Sequence, residues 1–130
     1  MSVLTITLGN PDSYYESFDY PAGETQVRIK PEWVQDIKTA SEIHVICTGA
    51  YARSVIELTL LLDALNGLDR SGKLVVFLPY LPYSRADRRF TEGDCFGKDV
   101  FLNILDAGGG YDYLVTFDMH SGQGNDELIN

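Results

Sequence analysis

Leu74-Val75-Val76-Phe77-Leu78 is an unbroken apolar run made largely of β-branched and aromatic residues. So short a run reads as a strand. A strand that is apolar at every position suits a parallel sheet covered on both faces. Ile43-His44-Val45-Ile46-Cys47 is a second short strand upstream, and Tyr113-Leu114-Val115-Thr116-Phe117 a third downstream. A helix separates each pair. Ser54 and Glu57 have the Ser-x-x-Glu spacing of a capping box, the helix runs to about Leu65, and Asn66-Gly67 ends it. Phe96, Val100, Phe101, Ile104 and Leu105 share helical spacing, and Gly108-Gly109-Gly110 stops that helix. Strands alternating with helices predict a parallel α/β sheet with right-handed crossovers.

The N-terminal third has a different pattern. Val3 to Leu8 alternates like a strand, and Gly9-Asn10-Pro11-Asp12 breaks it. Tyr14–Tyr20 and Glu24–Ile29 flank the turn signature Pro21-Ala22-Gly23, which predicts a small hairpin. Pro31 suits the first turn of a helix whose apolar face carries Trp33, Val34 and Ile37. The expected architecture is therefore a parallel-stranded sheet with flanking helices and an N-terminal β-hairpin, one domain over residues 1–130.

Composition narrows the function. A hydrophobic fraction of 45% with 22% charged residues is that of a folded globular chain, not a disordered one. A formal net charge of -9 argues against a general nucleic-acid binder, which needs a positive field. It leaves room for a small phosphorylated ligand held in a local basic pocket. Cys47 and Cys95 form no CxxC pair, and a reducing cytoplasm is the simpler reading. The opening residues lack the basic start of a signal peptide, and no apolar run approaches the ~20 residues of a membrane span.

Ligands of open α/β sheets bind beyond the carboxyl ends of the strands. Two such ends are chemically conspicuous. Arg85, Asp87, Arg88 and Arg89 follow the strand ending at Leu78, and Asp118 and His120 follow the strand ending at Phe117. Arginine forks match phosphate oxygens and stay charged. Asp87 is placed to steady one guanidinium, while Pro79 and Pro82 stiffen the loop. The competing reading is a solvated loop whose charges pair with nearby carboxylates. Asp118 and His120 suit a divalent cation or a polarised phosphate; the plainer reading is a turn cap beside a polar loop residue. The turn Thr48–Ser54 offers helix N–H groups to an anion, as many α/β turns do. Tyr14, Tyr15, Phe18 and Tyr20 would stack on a base or simply pack. His44, inside a strand, is read as structural.

Four segments resemble one family. Leu78-Pro79-Tyr80-Leu81-Pro82-Tyr83-Ser84-Arg85-Ala86-Asp87-Arg88-Arg89 is similar to the signature loop of ribose-phosphate pyrophosphokinases (PRPP synthetases), which reads Pro-Tyr-x-x-Tyr-Ala-Arg-Gln-Asp-Arg. Thr116-Phe117-Asp118-Met119-His120 resembles their Thr-hydrophobic-Asp-Leu-His. Glu57-Leu58 with Leu62-Asp63-Ala64-Leu65, and Gly23-Glu24-Thr25-Gln26-Val27-Arg28-Ile29, match a helix and a hairpin strand of the same family. The four are collinear.

The resemblance implies half of a type I phosphoribosyltransferase-like fold, an N-terminal ATP-binding domain whose C-terminal companion is absent from the 130 residues. It implies that Arg85, Asp87 and Arg88 hold ATP, and that His120 is catalytic and binds the magnesium of Mg-ATP. Tyr20 and Glu24 would reach the adenine of a neighbouring subunit in a homo-oligomer. ATP and ribose 5-phosphate would be the substrates, PRPP and AMP the products, and the cytoplasm the location, with no nucleic-acid or membrane partner. The chain departs from the pattern at Ala86 for glutamine, Ala22 for aspartate, Ala52-Arg53-Ser54 for an Asn-Asp-Asn run, and the acidic stretch after Arg89. Missing polar contacts at Ala86 and Ala22 leave a second expectation, a non-catalytic subunit that assembles with true synthetases. An unrelated phosphosugar-binding α/β domain is a third. The chain also reads as a truncated form or a naturally short relative, incomplete for catalysis by itself.

Overall fold

The computed structural model of the chain describes residues 2–10, 14–49, 52–118 and 128–129. β1 (Val3–Thr7) leads into the hairpin β2 (Tyr15–Asp19) and β3 (Thr25–Ile29). A single 3-10 turn at Pro31–Trp33 runs into α1 (Val34–Thr39), followed by β4 (Glu42–Ile46) and α2 (Ala52–Asn66). β5 (Lys73–Tyr80), α3 (Gly97–Asp106), β6 (Tyr113–Asp118) and a short β7 (Leu128–Ile129) complete the order.

The main sheet has the order β1-β4-β5-β6-β7. Its first four strands are parallel, and β7 adds antiparallel to β6. The strand order advances one way from β1 to β6, so right-handed connections carry the helices to one face. Ile43 and Val45 of β4 sit on that face in register with Leu74 and Val76 of β5, all fully buried. Val55, Leu58, Leu61, Leu62 and Leu65 of α2 meet them at helical spacing. Burying each such side chain is worth about 1.5–3 kcal/mol. The hairpin contributes Tyr15, Val27 and Ile29 to the same core, and α1 contributes Ile37.

The opposite face differs from the expectation of a sheet covered on both sides. His44, Ile46, Phe77 and Val115 are only half-buried there, and Phe117 is exposed. One-way strand order is the reason. Other details shift as well. β5 runs two residues beyond Leu78, so Pro79 and Tyr80 are strand, not loop. α2 begins at Ala52, which puts Ser54 and Glu57 inside the helix rather than in a capping box. Val100 and Ile104 are exposed instead of joining the core with Phe101 and Leu105. β7 has no counterpart in the sequence reading. Among the described residues, no helix is long and apolar enough to cross a membrane.

The end of the sheet opposite the arginine loop is held by polar staples. Arg70 donates to the carbonyls of Leu65 and Gly72 and to Asn66 Oδ1. Asn66 in turn donates to the Gly108 and Gly110 carbonyls. His44 pairs with Glu42 at 2.7 Å, consistent with a structural role.

Candidate functional site

β5 and β6 are neighbours, and Tyr80 stands opposite Asp118 in their ladder. The arginine loop and the segment after Asp118 therefore leave from adjacent strand ends, as the topology required. His120 lies outside the described residues, and only the backbone of Asp118 is within them. Ala50 and Tyr51, part of the strand-to-helix turn at residues 48–54, also lie outside.

The loop after Tyr80 turns sharply. Ser84 N–H donates to the Leu81 carbonyl at 3.1 Å, and Ala86 N–H to the Tyr83 carbonyl at 2.9 Å. Tyr83 holds φ at +64, a left-handed conformation that costs a bulky residue about 1 kcal/mol or more. The turn is clamped onto the start of α3. Lys98 N–H donates to the Ala86 carbonyl at 3.0 Å, and the Tyr83 ring lies 6.0 Å from that of Phe101. Gly97 makes this approach possible, because a Cβ there would sit 3.0 Å from Ala86 Cβ and 3.2 Å from Tyr83 Cδ1.

The arginines differ in what they touch. Arg85 is exposed and has no partner among the described residues. Arg88 meets Asp87 at 3.4 Å, the pairing foreseen for that carboxylate, and lies over the exposed Phe90 ring. Arg89 is turned away to the Asp94 carbonyl, while Asp94 Oδ2 accepts from Thr91 N–H at 3.1 Å. The acidic stretch thus folds back on the loop and occupies one of its three guanidiniums.

Tyr20 and Glu24 face each other at the hairpin tip, where Tyr20 N–H donates to the Glu24 carbonyl at 2.8 Å. Both are exposed, and Gly23 between them supplies the positive φ of the turn. Two adjoining concavities connect tip and loop. One, about 250 Å³ and apolar, lies between α2 and α3 with Tyr83, Cys95 and Gly97 on its wall. The other, about 480 Å³, has Glu24, Thr25, Arg53 and Leu60 on its wall. They share Ala52 and Ile56. The hairpin tip and the arginine loop therefore flank the N-terminal half of α2. Arg85, Asp87 and Arg88 line neither concavity.

Several residues gained a place that their sequence context did not announce. Asp19 Oδ2 accepts from Arg53 Nη1 and Oδ1 from Thr25 Oγ1, each at 3.1 Å. The Arg53 and Thr25 hydrogen bonds hold the Asp19 carboxyl below its ordinary range, and Asp19 raises Arg53 in return. Tyr15 OH donates to Glu57 Oε2 at 3.1 Å and accepts from Gly9 N–H at 3.2 Å. Burial pushes the Tyr15 hydroxyl up to about 12. The hydroxyls of Ser84 and Thr116 are buried without a hydrogen-bond partner among the described residues. No local motif encodes the Asp19–Arg53 or the Tyr15–Glu57 pair, since the partners lie 34 and 42 residues apart.

The chain is 34% identical over 103 residues to a ribose-phosphate pyrophosphokinase of Sulfurisphaera tokodaii, covering 78% of this chain and 33% of that protein. It is 33% identical over 119 residues to one from Saccharolobus solfataricus, covering 90% of this chain and 38% of the relative. The chain belongs to the ribose-phosphate pyrophosphokinase family.

The phosphoribosylpyrophosphate synthetase structure from Mycobacterium smegmatis shares the fold, with a TM-score of 0.76 over 95% of this chain and 44% of that one. Sequence identity there is 17%, so the likeness concerns the fold alone. No protein-family model matches the chain. The chain spans about a third of the length of the curated ribose-phosphate pyrophosphokinases it matches.

Proposed function

We propose that the chain is the N-terminal, ATP-binding part of a ribose-phosphate diphosphokinase, which moves a pyrophosphoryl group from ATP to ribose 5-phosphate in the cytoplasm. The single observation that carries this reading is Arg85. It is exposed and unpartnered among the described residues, and it stands beyond the carboxyl end of β5 in a chain of net charge -9. A guanidinium left free in an acidic molecule, at the strand ends where α/β folds bind ligands, is poised for a polyphosphate.

In this reading Arg85 and Arg88 neutralise charge on the polyphosphate, Asp87 orients Arg88, and His120 approaches the reacting phosphates. Magnesium enters on the nucleotide. Among the described residues no group of three His, Cys, Asp or Glu side chains lies together to hold a metal. The ribose 1-hydroxyl attacks the β-phosphorus, the bond to the α-phosphate oxygen breaks, and AMP leaves. Positioning and charge neutralisation supply the catalysis such a transfer needs. Tyr20 and Glu24 contact the adenine of a neighbouring copy, and ribose 5-phosphate is held by the family's second domain.

Ala86 favours a second reading, a non-catalytic associate of true synthetases. Its methyl group packs toward Gly97 and offers no polar contact to a nucleotide.

Titration calorimetry with Mg-ATP separates the two. The primary reading expects binding by the chain and about tenfold weaker binding by Arg85→Ala, as for loss of one charge-assisted contact. Equal affinity in both proteins would remove Arg85 from the site. Co-purification with a synthetase without any nucleotide binding would favour the second reading.

A further inference from the structure

We infer that Asp19 and Arg53 form an ionic latch that sets the pose of the hairpin tip, making them positioning residues for the nucleotide site. The positioning role rests on the ATP reading above; the latch itself does not.

The strand β2 is fastened to α2 at two points one helical turn apart. Tyr15 reaches Glu57 at the first and Asp19 reaches Arg53 at the second, each at 3.1 Å. The first point is buried, since Tyr15 is 4% exposed. The second is open, with side-chain exposures of 57% for Arg53 and 45% for Asp19. Val27 and Ile29 bury the far half of the ribbon together with Tyr15, so the body of the hairpin is fixed by packing. The Asp19–Arg53 pair acts beyond that packing, at the end where the tip projects.

The latch is adjacent to the tip in every sense. Asp19 directly precedes Tyr20, and Thr25, which binds the other Asp19 oxygen, directly follows Glu24. Arg53 and Glu24 line the same concavity. By the resemblance, Arg53 stands where the family's Asn-Asp-Asn run carries an aspartate, so the fastening is a feature of this chain's own residues. An exposed pair is weak and screened by salt. The effect belongs on tip geometry rather than on global stability.

The test compares the wild type with Arg53→Ala, Asp19→Asn and the charge-swapped double variant Asp19→Arg/Arg53→Asp. Hydrogen exchange of the Tyr20 and Gly23 amides at low salt should quicken about threefold in either single variant and recover in the swap. Added salt should quicken the wild type and leave Arg53→Ala unmoved. Thermal unfolding midpoints should stay together. Mg-ATP affinity should fall about threefold in both single variants and return in the swap.

Asp19→Asn is the discriminating variant. It keeps the Arg53 charge while removing its carboxylate partner, so a direct phosphate contact by Arg53 would make it bind more tightly. That result overturns the positioning role. Unchanged exchange in both single variants overturns the latch. Faster exchange with unchanged affinity, where Arg85→Ala does weaken binding, also overturns the positioning role. A wild type that binds no Mg-ATP removes the ATP reading and the positioning role with it, while the exchange data still decide the latch.

Discussion

The Tyr15 hydroxyl donates to Glu57 at 3.1 Å across a separation of 42 residues, and the same hydroxyl accepts from Gly9 N–H. One phenol thus joins the end of β1, the hairpin and α2. The hairpin would otherwise be a two-stranded ribbon, a unit with little stability of its own. Tyr15 joins Val27 and Ile29 in making it part of the domain core.

Tyr15→Phe should therefore cost about 1.5–3 kcal/mol of unfolding free energy, the range for a hydrogen bond to a charged group, because Glu57 loses its donor. Urea unfolding followed by circular dichroism checks it. A loss below about 0.5 kcal/mol would mean that water replaces the phenol without cost.

Burial also gives this tyrosine a pH signature. Its folded value of about 12 stands above the ordinary 10.0, so the folded state holds the proton where the unfolded chain releases it. The stabilisation is complete below pH 10 and is lost as the pH rises toward 12. Two units correspond to about 3 kcal/mol at most. Tyr111, also raised to about 12 by burial, adds to the same slope. Urea midpoints measured from pH 9 upward should fall steeply above 10, and less steeply in Tyr15→Phe. Equal slopes in the two proteins would show that Tyr15 titrates normally.

Local patterns carried most of the fold. The apolar runs of β4, β5 and β6, the Pro21-Ala22-Gly23 turn and the glycine stops each report a short-range preference, so every element from β1 to β6 was legible. The half-covered sheet face was not, because it follows from strand order rather than from β5 itself. Glu57 shows the same limit at one residue. Its Ser-x-x-Glu spacing fits a cap, but the helix starts earlier and the carboxylate serves a phenol from another element. At the candidate site, the sequence located the arginine loop at a strand end. It did not reveal that Arg89 is spent on Asp94 or that Arg85 is left without a partner among the described residues, since both depend on how residues 89–94 fold back.

Gly97 offers a way to move the loop without touching an arginine. An added methyl would meet Ala86 Cβ at 3.0 Å and Tyr83 Cδ1 at 3.2 Å, so the loop must give by a few tenths of an ångström. Gly97 is the first residue of α3, where alanine is the better helix former, and that gain offsets part of the crowding. The unfolding free energy of Gly97→Ala should thus stay within about 1 kcal/mol of wild type. The displaced turn carries Arg85 between Tyr83 and Ala86, both of which move. Mg-ATP affinity measured by calorimetry should then fall several-fold while stability barely changes. If affinity holds and stability drops instead, the clamp on α3 serves folding, and the pose of Arg85 is set elsewhere.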